Sequence, residues 1–212
     1  GYYAQARAEQ TYLVAKASAD PVFIYADSSK SSRVTHRFPR RNRHGVEQVF
    51  LVVGEKEAEG QWWYQVLLPV RPKHTTGWIP GASVSLYRTE YALDVDLSDF
   101  RLTVYRRGQK YKEYPIARGR PSTPTPTGDF YIVELLEAPN KYTVYGPYAF
   151  GLSGFSEELI NWKDGGQTGI HGTGDPKAIG RAVTHGCIRL YNHDIEELAK
   201  MIPLGTPVKI HY

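Results

Sequence analysis

Only one stretch of this chain repeats its apolar residues at helical spacing: Ile195, Leu198, Ala199 and Ile202. Asn192 or Asp194 stands where an N-cap belongs, and Pro203 and Gly205 follow as a stop. Elsewhere apolar and polar residues alternate in short runs. Leu93, Val95 and Leu97 share one face, Ser98 and Asp99 read as a turn, and Leu102 and Val104 resume the pattern. Val208, Ile210 and Tyr212 alternate as a last strand. Period-two runs of this kind are antiparallel strands with one buried face. A second, shorter helical turn is expected where Asp175 precedes Pro176, with Gly180 as its stop. The expectation is an all-β chain with one or two short helices.

The N-terminal part reads the same way. Residues 1–10 are polar and are expected to form a tail. Val22-Phe23-Ile24-Tyr25 precedes a turn cluster at 27–32, and the runs 49–53 and 63–68, which flank Gly54 and Glu59-Gly60, read as a hairpin. Gly77-Trp78-Ile79-Pro80 and Val84-Ser85-Leu86 close this unit. Trp62, Trp63, Tyr64 and Trp78 are expected in its core and rim. Residues 34–48 carry Arg37, Arg40, Arg41, Arg43, His36 and His44, which read as a solvated loop. The Pro/Thr-rich segment 121–127 reads as a rigid connection. Tyr142, Tyr145, Tyr148 and Phe150 fit a substrate groove or lid as well as ordinary strand positions.

At 212 residues the chain is long enough for one or two domains. A net charge of +4 gives mild attraction to anionic polymers without a nucleic-acid footprint, so no nucleic-acid partner is expected. The sequence has no apolar run long enough for a transmembrane span and no phosphate-binding glycine loop.

The chemistry gathers around the sole cysteine. Cys187 sits in Thr184-His185-Gly186-Cys187-Ile188-Arg189, sixteen positions after His171 of His171-Gly172-Thr173. A thiol near its ordinary pKa of about 8.5 is mostly protonated at neutral pH, and an imidazole can take and return that proton. Gln167–His171 and Ala182-Val183-Thr184 read as strands joined by a short excursion, which brings His171 and Cys187 onto neighbouring strands. His185, two residues before Cys187, competes for the role of base. The Gly172 carbonyl could fix the His171 tautomer, since no acid is an obvious third member; Asp175 and Asp164 are the possible ones. Gly186 removes a side chain where a substrate carbonyl must approach, and the N–H groups near Gly186 and Cys187 are candidates for an oxyanion. A thiolate–imidazolium pair would lower the alkylation pKa of Cys187. A metal site built on His171, His185, Cys187 and His193 lacks the paired ligand spacing of structural zinc.

These residues resemble a known family. Ile170-His171-Gly172-Thr173, Ile179-Gly180 and Thr184 to Leu190 with Asn192 are similar to the signature of YkuD-type L,D-transpeptidases. Arg118-Gly119 and Thr123 to Phe130 resemble an upstream segment of the same family. The resemblance covers residues 89–212 and implies a YkuD-type β-sandwich catalytic domain. Residues 11–88 resemble a bacterial SH3-like (SH3b) barrel, through Trp63-Tyr64-Gln65-Val66 and Thr76-Gly77-Trp78-Ile79-Pro80.

The family resemblance implies that Cys187 attacks a peptidoglycan stem tetrapeptide at the L-centre carbonyl of its diamino acid and releases D-alanine. A second stem's side-chain amine then takes the acyl group, giving a 3→3 cross-link. His171 would be proton acceptor and donor, the Gly172 carbonyl its orienting partner, and the Gly186 backbone an oxyanion donor. Arg189, His185 and Thr184 would lie on the substrate side, Arg189 holding a carboxylate. Stem peptides as partners, carbapenem β-lactams as inhibitors and the absence of cofactor and metal follow from the same resemblance. An L,D-carboxypeptidase that trims stems, or a cell-wall-binding protein, are the alternatives. The abrupt start at Gly1-Tyr2-Tyr3 reads as a processed product, with any export signal upstream. The expected location is therefore exported: cell wall, extracellular or periplasmic. A lone thiol in an exported protein is a reactive one.

Overall fold

The computed structural model describes residues 10–159 and 163–212. The expected polar tail, apart from Gln10, and the Asp164 side chain lie outside the described residues.

Two large sheets carry nearly all the structure. The first comprises β1 (Tyr12–Ala17), β2 (Val22–Tyr25), β3 (Val34–Phe38), β4 (Val49–Ala58), β5 (Gln61–Leu67), β6 (Thr76–Pro80) and β7 (Val84–Thr89). Their order is β3-β2-β6-β5-β4-β1-β7, and every pairing is antiparallel. Alternation decides which face is buried: Val22 and Ile24 point inward while Phe23 between them is exposed. Ile24, Phe50, Val66, Leu68 and Ile79 make the core. The β4–β5 hairpin turns at Glu59 and Gly60, both at positive φ. Gly54, expected outside the strand, lies within β4 at a register shift between Val52 and Gly54, a bulge that a residue without Cβ accommodates. Trp63 is fully buried edge-on to Tyr25, and Trp62 is exposed on the opposite face.

The second sheet holds β8 (Tyr91–Asp96), β9 (Arg101–Arg106) and β10 (Gln109–Pro115). After β11 (Arg118–Gly119) come β12 (Gly128–Glu137), β13 (Tyr148–Phe155) and β14 (Gln167–His171). Then follow β15 (Ala182–Thr184), β16 (Ile188–Arg189), helix α1 (Asn192–Met201) and β17 (Pro207–His211). Eight of these strands run in the order β10-β9-β8-β17-β12-β13-β14-β16, while β11 and β15 form a separate parallel pair. A bridge between Ala117, just beyond β10, and Arg189 in β16 joins the two ends of the sheet. The sheet therefore curls around one core, in which Leu93, Leu102, Phe150, Ile170 and Ile188 meet Ile195 and Leu198 of α1.

Two sequence expectations change here. Neither Asn192 nor Asp194 caps α1: Tyr191 is the N-cap, without a side-chain bond, because the Asn192 oxygen is engaged elsewhere and Asp194 pairs with His193 at 2.9 Å. Tyr212 falls beyond β17 and is exposed, with Arg118 over its ring at 5.3 Å.

The sheets share a third apolar cluster. Val14, Val49, Leu51 and Leu67 from the first pack on Tyr131 and Val133 of β12. The buried Tyr131 hydroxyl donates to the Val49 carbonyl at 3.3 Å, and the Tyr87 hydroxyl donates to the Leu204 carbonyl at 2.9 Å. Among the described residues no helix is long and apolar enough to cross a membrane.

Candidate active site

β14 delivers His171 at its last position, buried, where the chain turns through Gly172. The His171 Nδ1 lies 2.6 Å from the Gly172 carbonyl oxygen. A carbonyl only accepts, so Nδ1 carries the proton and Nε2 keeps its lone pair. Asn192 holds the other side of this turn, its Oδ1 accepting from the Thr173 N–H at 2.8 Å. A side chain on Gly172 would collide with Asn192 and with Gly146, which accounts for the glycine. Tyr145 meets the imidazole edge-on, ring centroids 5.1 Å apart.

Cys187 reaches the same place from the other strand. β14 and β16 run parallel with Ile170 opposite Ile188, so Gly169 stands beside Cys187 and His171 lies two residues further along the same face. That diagonal puts the two Cα atoms about 8 Å apart, within reach of an imidazole and a thiol leaning together. Both side chains line one cleft of about 620 Å³, together with Arg189 and His185.

The nucleophile turn is tied internally. Thr184, with no exposed surface, donates its hydroxyl to the Cys187 carbonyl at 2.6 Å and accepts the Gly186 N–H at 3.2 Å. Gly186 has φ +109°, a conformation that suits glycine, and it packs towards the Pro124 carbonyl of the Pro/Thr-rich loop. That loop is anchored as well: the Thr123 hydroxyl donates to the Thr184 carbonyl at 3.1 Å, and the Thr125 hydroxyl accepts the Gly119 N–H at 2.8 Å. Segment 121–127 thus buttresses the cysteine turn as well as connecting strands.

Burial sets the resting charge state. It lowers the His171 pKa to about 4 against the raising effect of the Gly172 hydrogen bond, and the neighbouring Arg189 charge lowers it further. Burial raises the Cys187 pKa, opposed by the Gly169 N–H and by Arg189. The expected thiolate–imidazolium pair is therefore corrected to a neutral thiol beside a neutral imidazole, because desolvation outweighs the local donors.

These features match a known family. Residues 90–210 match the model of the YkuD L,D-transpeptidase catalytic domain. The chain belongs to the YkuD L,D-transpeptidase family. It is 35% identical to YkuD of Bacillus subtilis (strain 168) over 151 residues, 68% of this chain and 84% of that protein. It is 42% identical to YkuD of Bacillus licheniformis over 120 residues, 57% of this chain and 65% of that one. An L,D-transpeptidase crystal structure from Mycobacterium tuberculosis H37Rv shares the fold, with a TM-score of 0.51 and 15% identity over 94% of this chain and 98% of that one. The chain is thus a member of an enzyme family, and its described residues are all-β with one α-helix.

Set against the sequence reading, the site brings together His171, Gly172, Cys187, Arg189 and His185. It corrects two assignments. Thr184 lines the cleft, but its hydroxyl is committed to the nucleophile turn, which it shapes. The Gly186 N–H already donates to Thr184, so of the two oxyanion candidates only the Cys187 N–H is left. His193 is exposed, stacks on Tyr191 and pairs with Asp194, away from the cleft-lining set. Asp175 caps the short 3-10 turn Pro176–Ala178 through the Lys177 N–H, the expected second helical turn, and is not engaged with His171. Sequence reasoning missed the row of small residues opposite Cys187, Gly169 and Gly151, and missed Glu134 and His44, which also line the cleft. A lone acid inside the apolar run Tyr131-Ile132-Val133-Glu134-Leu135 is the unread signal for one of them.

Proposed function

We propose that this chain is a peptidoglycan L,D-transpeptidase that forms 3→3 cross-links through a Cys187 acyl-enzyme. The observation that carries this reading is His171 with Nδ1–H committed to the Gly172 carbonyl, which leaves Nε2 as a base in the cleft it shares with the Cys187 thiol. Because both groups rest neutral, the proton moves as the bond forms: Sγ attacks the L-centre carbonyl of the diamino acid while Nε2 takes the thiol proton. The Cys187 N–H faces the developing oxyanion. Imidazolium then returns its proton to the leaving D-alanine amine, and the C–N bond breaks. A second stem's amine attacks the thioester with His171 again as base, and the thiol is regenerated. One amide replaces another, so no nucleotide or metal is required by the balance of the reaction. Arg189, charged and beside the cleft, is the residue for a substrate carboxylate.

The rest of the assignment belongs to the same proposal. Residues 11–88 form an SH3-like unit and 89–212 the catalytic domain. The protein acts outside the cytoplasm, at the wall, and carbapenems acylate Cys187. Incubation of the full chain with tetrapeptide muropeptides tests the reading: dimers with a 3→3 link are expected from the wild type and none from Cys187→Ala. Trimmed stems without dimers, in the presence of an acceptor amine, would replace transfer by hydrolysis.

A further inference from the structure

Strand register lays a row of residues across the floor of the cleft. Glu134 pairs with Gly151, Gly151 with Gly169, and Gly169 stands beside Cys187. Residues paired laterally project from the same face. Glu134 and Cys187 therefore rise from one face with only two glycines between them, an open trough. Three interstrand steps of about 4.8 Å separate their Cα atoms by about 14 Å. The Glu134 side chain leans back over the trough, since a Cβ on Gly151 would come within 2.7 Å of its Oε1. The carboxylate thus stands above the neighbouring strand, about 10 Å from the cysteine position.

Glu134 is 4% exposed, and it receives two hydrogen bonds. Both come from the loop after β3: Asn42 Nδ2 at 2.7 Å and His44 Nδ1 at 2.8 Å, each to Oε2. Among the described residues, Oε1 accepts no hydrogen bond and no Lys or Arg pairs with the carboxylate. Among the described residues, the carboxylate is thus held from one side by Asn42 and His44, and Oε1 is left for a donor from a ligand in the cleft it lines.

The donor's length fits, if Cys187 acts as proposed above. In an acyl donor whose attacked carbonyl belongs to a diamino residue, the extended side chain carries its amine about 7 Å from that carbonyl carbon. A charge-assisted hydrogen bond of about 2.8 Å closes the remaining distance. We propose that Glu134 is a specificity-determining residue that binds the side-chain ammonium of the donor's diamino residue, and that Asn42 and His44 of the first sheet's loop position it. The first sheet thereby completes one wall of the substrate cleft.

The competing role, a mere pin between the sheets, gives a different result. The test measures D-alanine release by the full chain from a tetrapeptide muropeptide with a free side-chain amine and from its N-acetylated derivative. The wild type is expected to prefer the free amine by about tenfold or more in kcat/KM, mostly through KM. Glu134→Gln is expected to bring that ratio close to one. His44→Ala, at a residue on the loop surface, is expected to lower it partway and serves if Glu134→Gln does not fold. Equal rates on both substrates in the wild type, or an unaltered preference in the variants, would overturn the proposal while leaving the transpeptidase reading intact. An equal loss on both substrates would assign Glu134 the pin role and also overturn it. No release from either substrate by the wild type would sink the transpeptidase reading itself.

Discussion

Replacing His171 by glutamine removes a buried titratable ring and keeps an amide able to donate to the Gly172 carbonyl. In the wild type the imidazole is pushed from 6.5 to about 4 by burial. Between those values the unfolded chain binds a proton that the native chain refuses, so stability falls as pH drops through that window. The full difference amounts to roughly 3 kcal/mol, of which about 2 kcal/mol is already lost at pH 5 relative to pH 7.5. Other groups titrate there too. Glu90, Asp96 and Glu113, held low by their partners, and His211, held high by Asp94, respond alike in both proteins. Urea unfolding at pH 7.5 and pH 5, followed by tryptophan fluorescence, isolates the His171 contribution as the difference between the proteins. The wild type is expected to lose about 2 kcal/mol more than His171→Gln over this interval. Equal losses would refute the buried neutral imidazole, and with it the account of the resting site.

Two further outcomes follow from the same structure. The alkylation pKa of Cys187 is expected above the ordinary thiol value, and a pH series of iodoacetamide inactivation checks it; a value shifted downward would restore the ion pair rejected here. Tyr131→Ala, which empties the seam between the sheets, is expected to cost about 3–5 kcal/mol and to weaken both sheets together, so a calorimetric trace in which only one part shifts would contradict the shared core.

Period-two alternation made most of the fold legible. β2, β14 and β15 fall where their apolar residues and turn signals place them, and α1 follows from its single stripe. Motif spacing likewise brought His171 and Cys187 into one cleft, although β15 pairs with β11 and it is β16, beginning one residue after Cys187, that lies beside β14. Four features were hidden for physical reasons. A bulge at Gly54 depends on pairing with β5, which no local pattern encodes. The Gly186 N–H looks free in sequence, but the Thr184 hydroxyl reaches it only once φ at Gly186 turns positive. The direction of the Cys187 shift is set by how much protein surrounds the sulfur, and neighbouring residue types alone argued the opposite way. Glu134 escaped notice because its partners, Asn42 and His44, lie in a different sheet's loop, 92 and 90 residues away. Of the basic stretch read as a solvated loop, His36 and Arg37 instead lie in β3, and His44 is held against Glu134.

Intact mass spectrometry of the full chain mixed with a tetrapeptide muropeptide, quenched before an acceptor is added, bears most directly on the chemistry. A disaccharide-tripeptide thioester mapped to Cys187 is expected, absent from Cys187→Ala and strongly reduced in His171→Gln. An adduct that survives in Cys187→Ala, or D-alanine released at the wild-type rate by that variant, would contradict this chemistry.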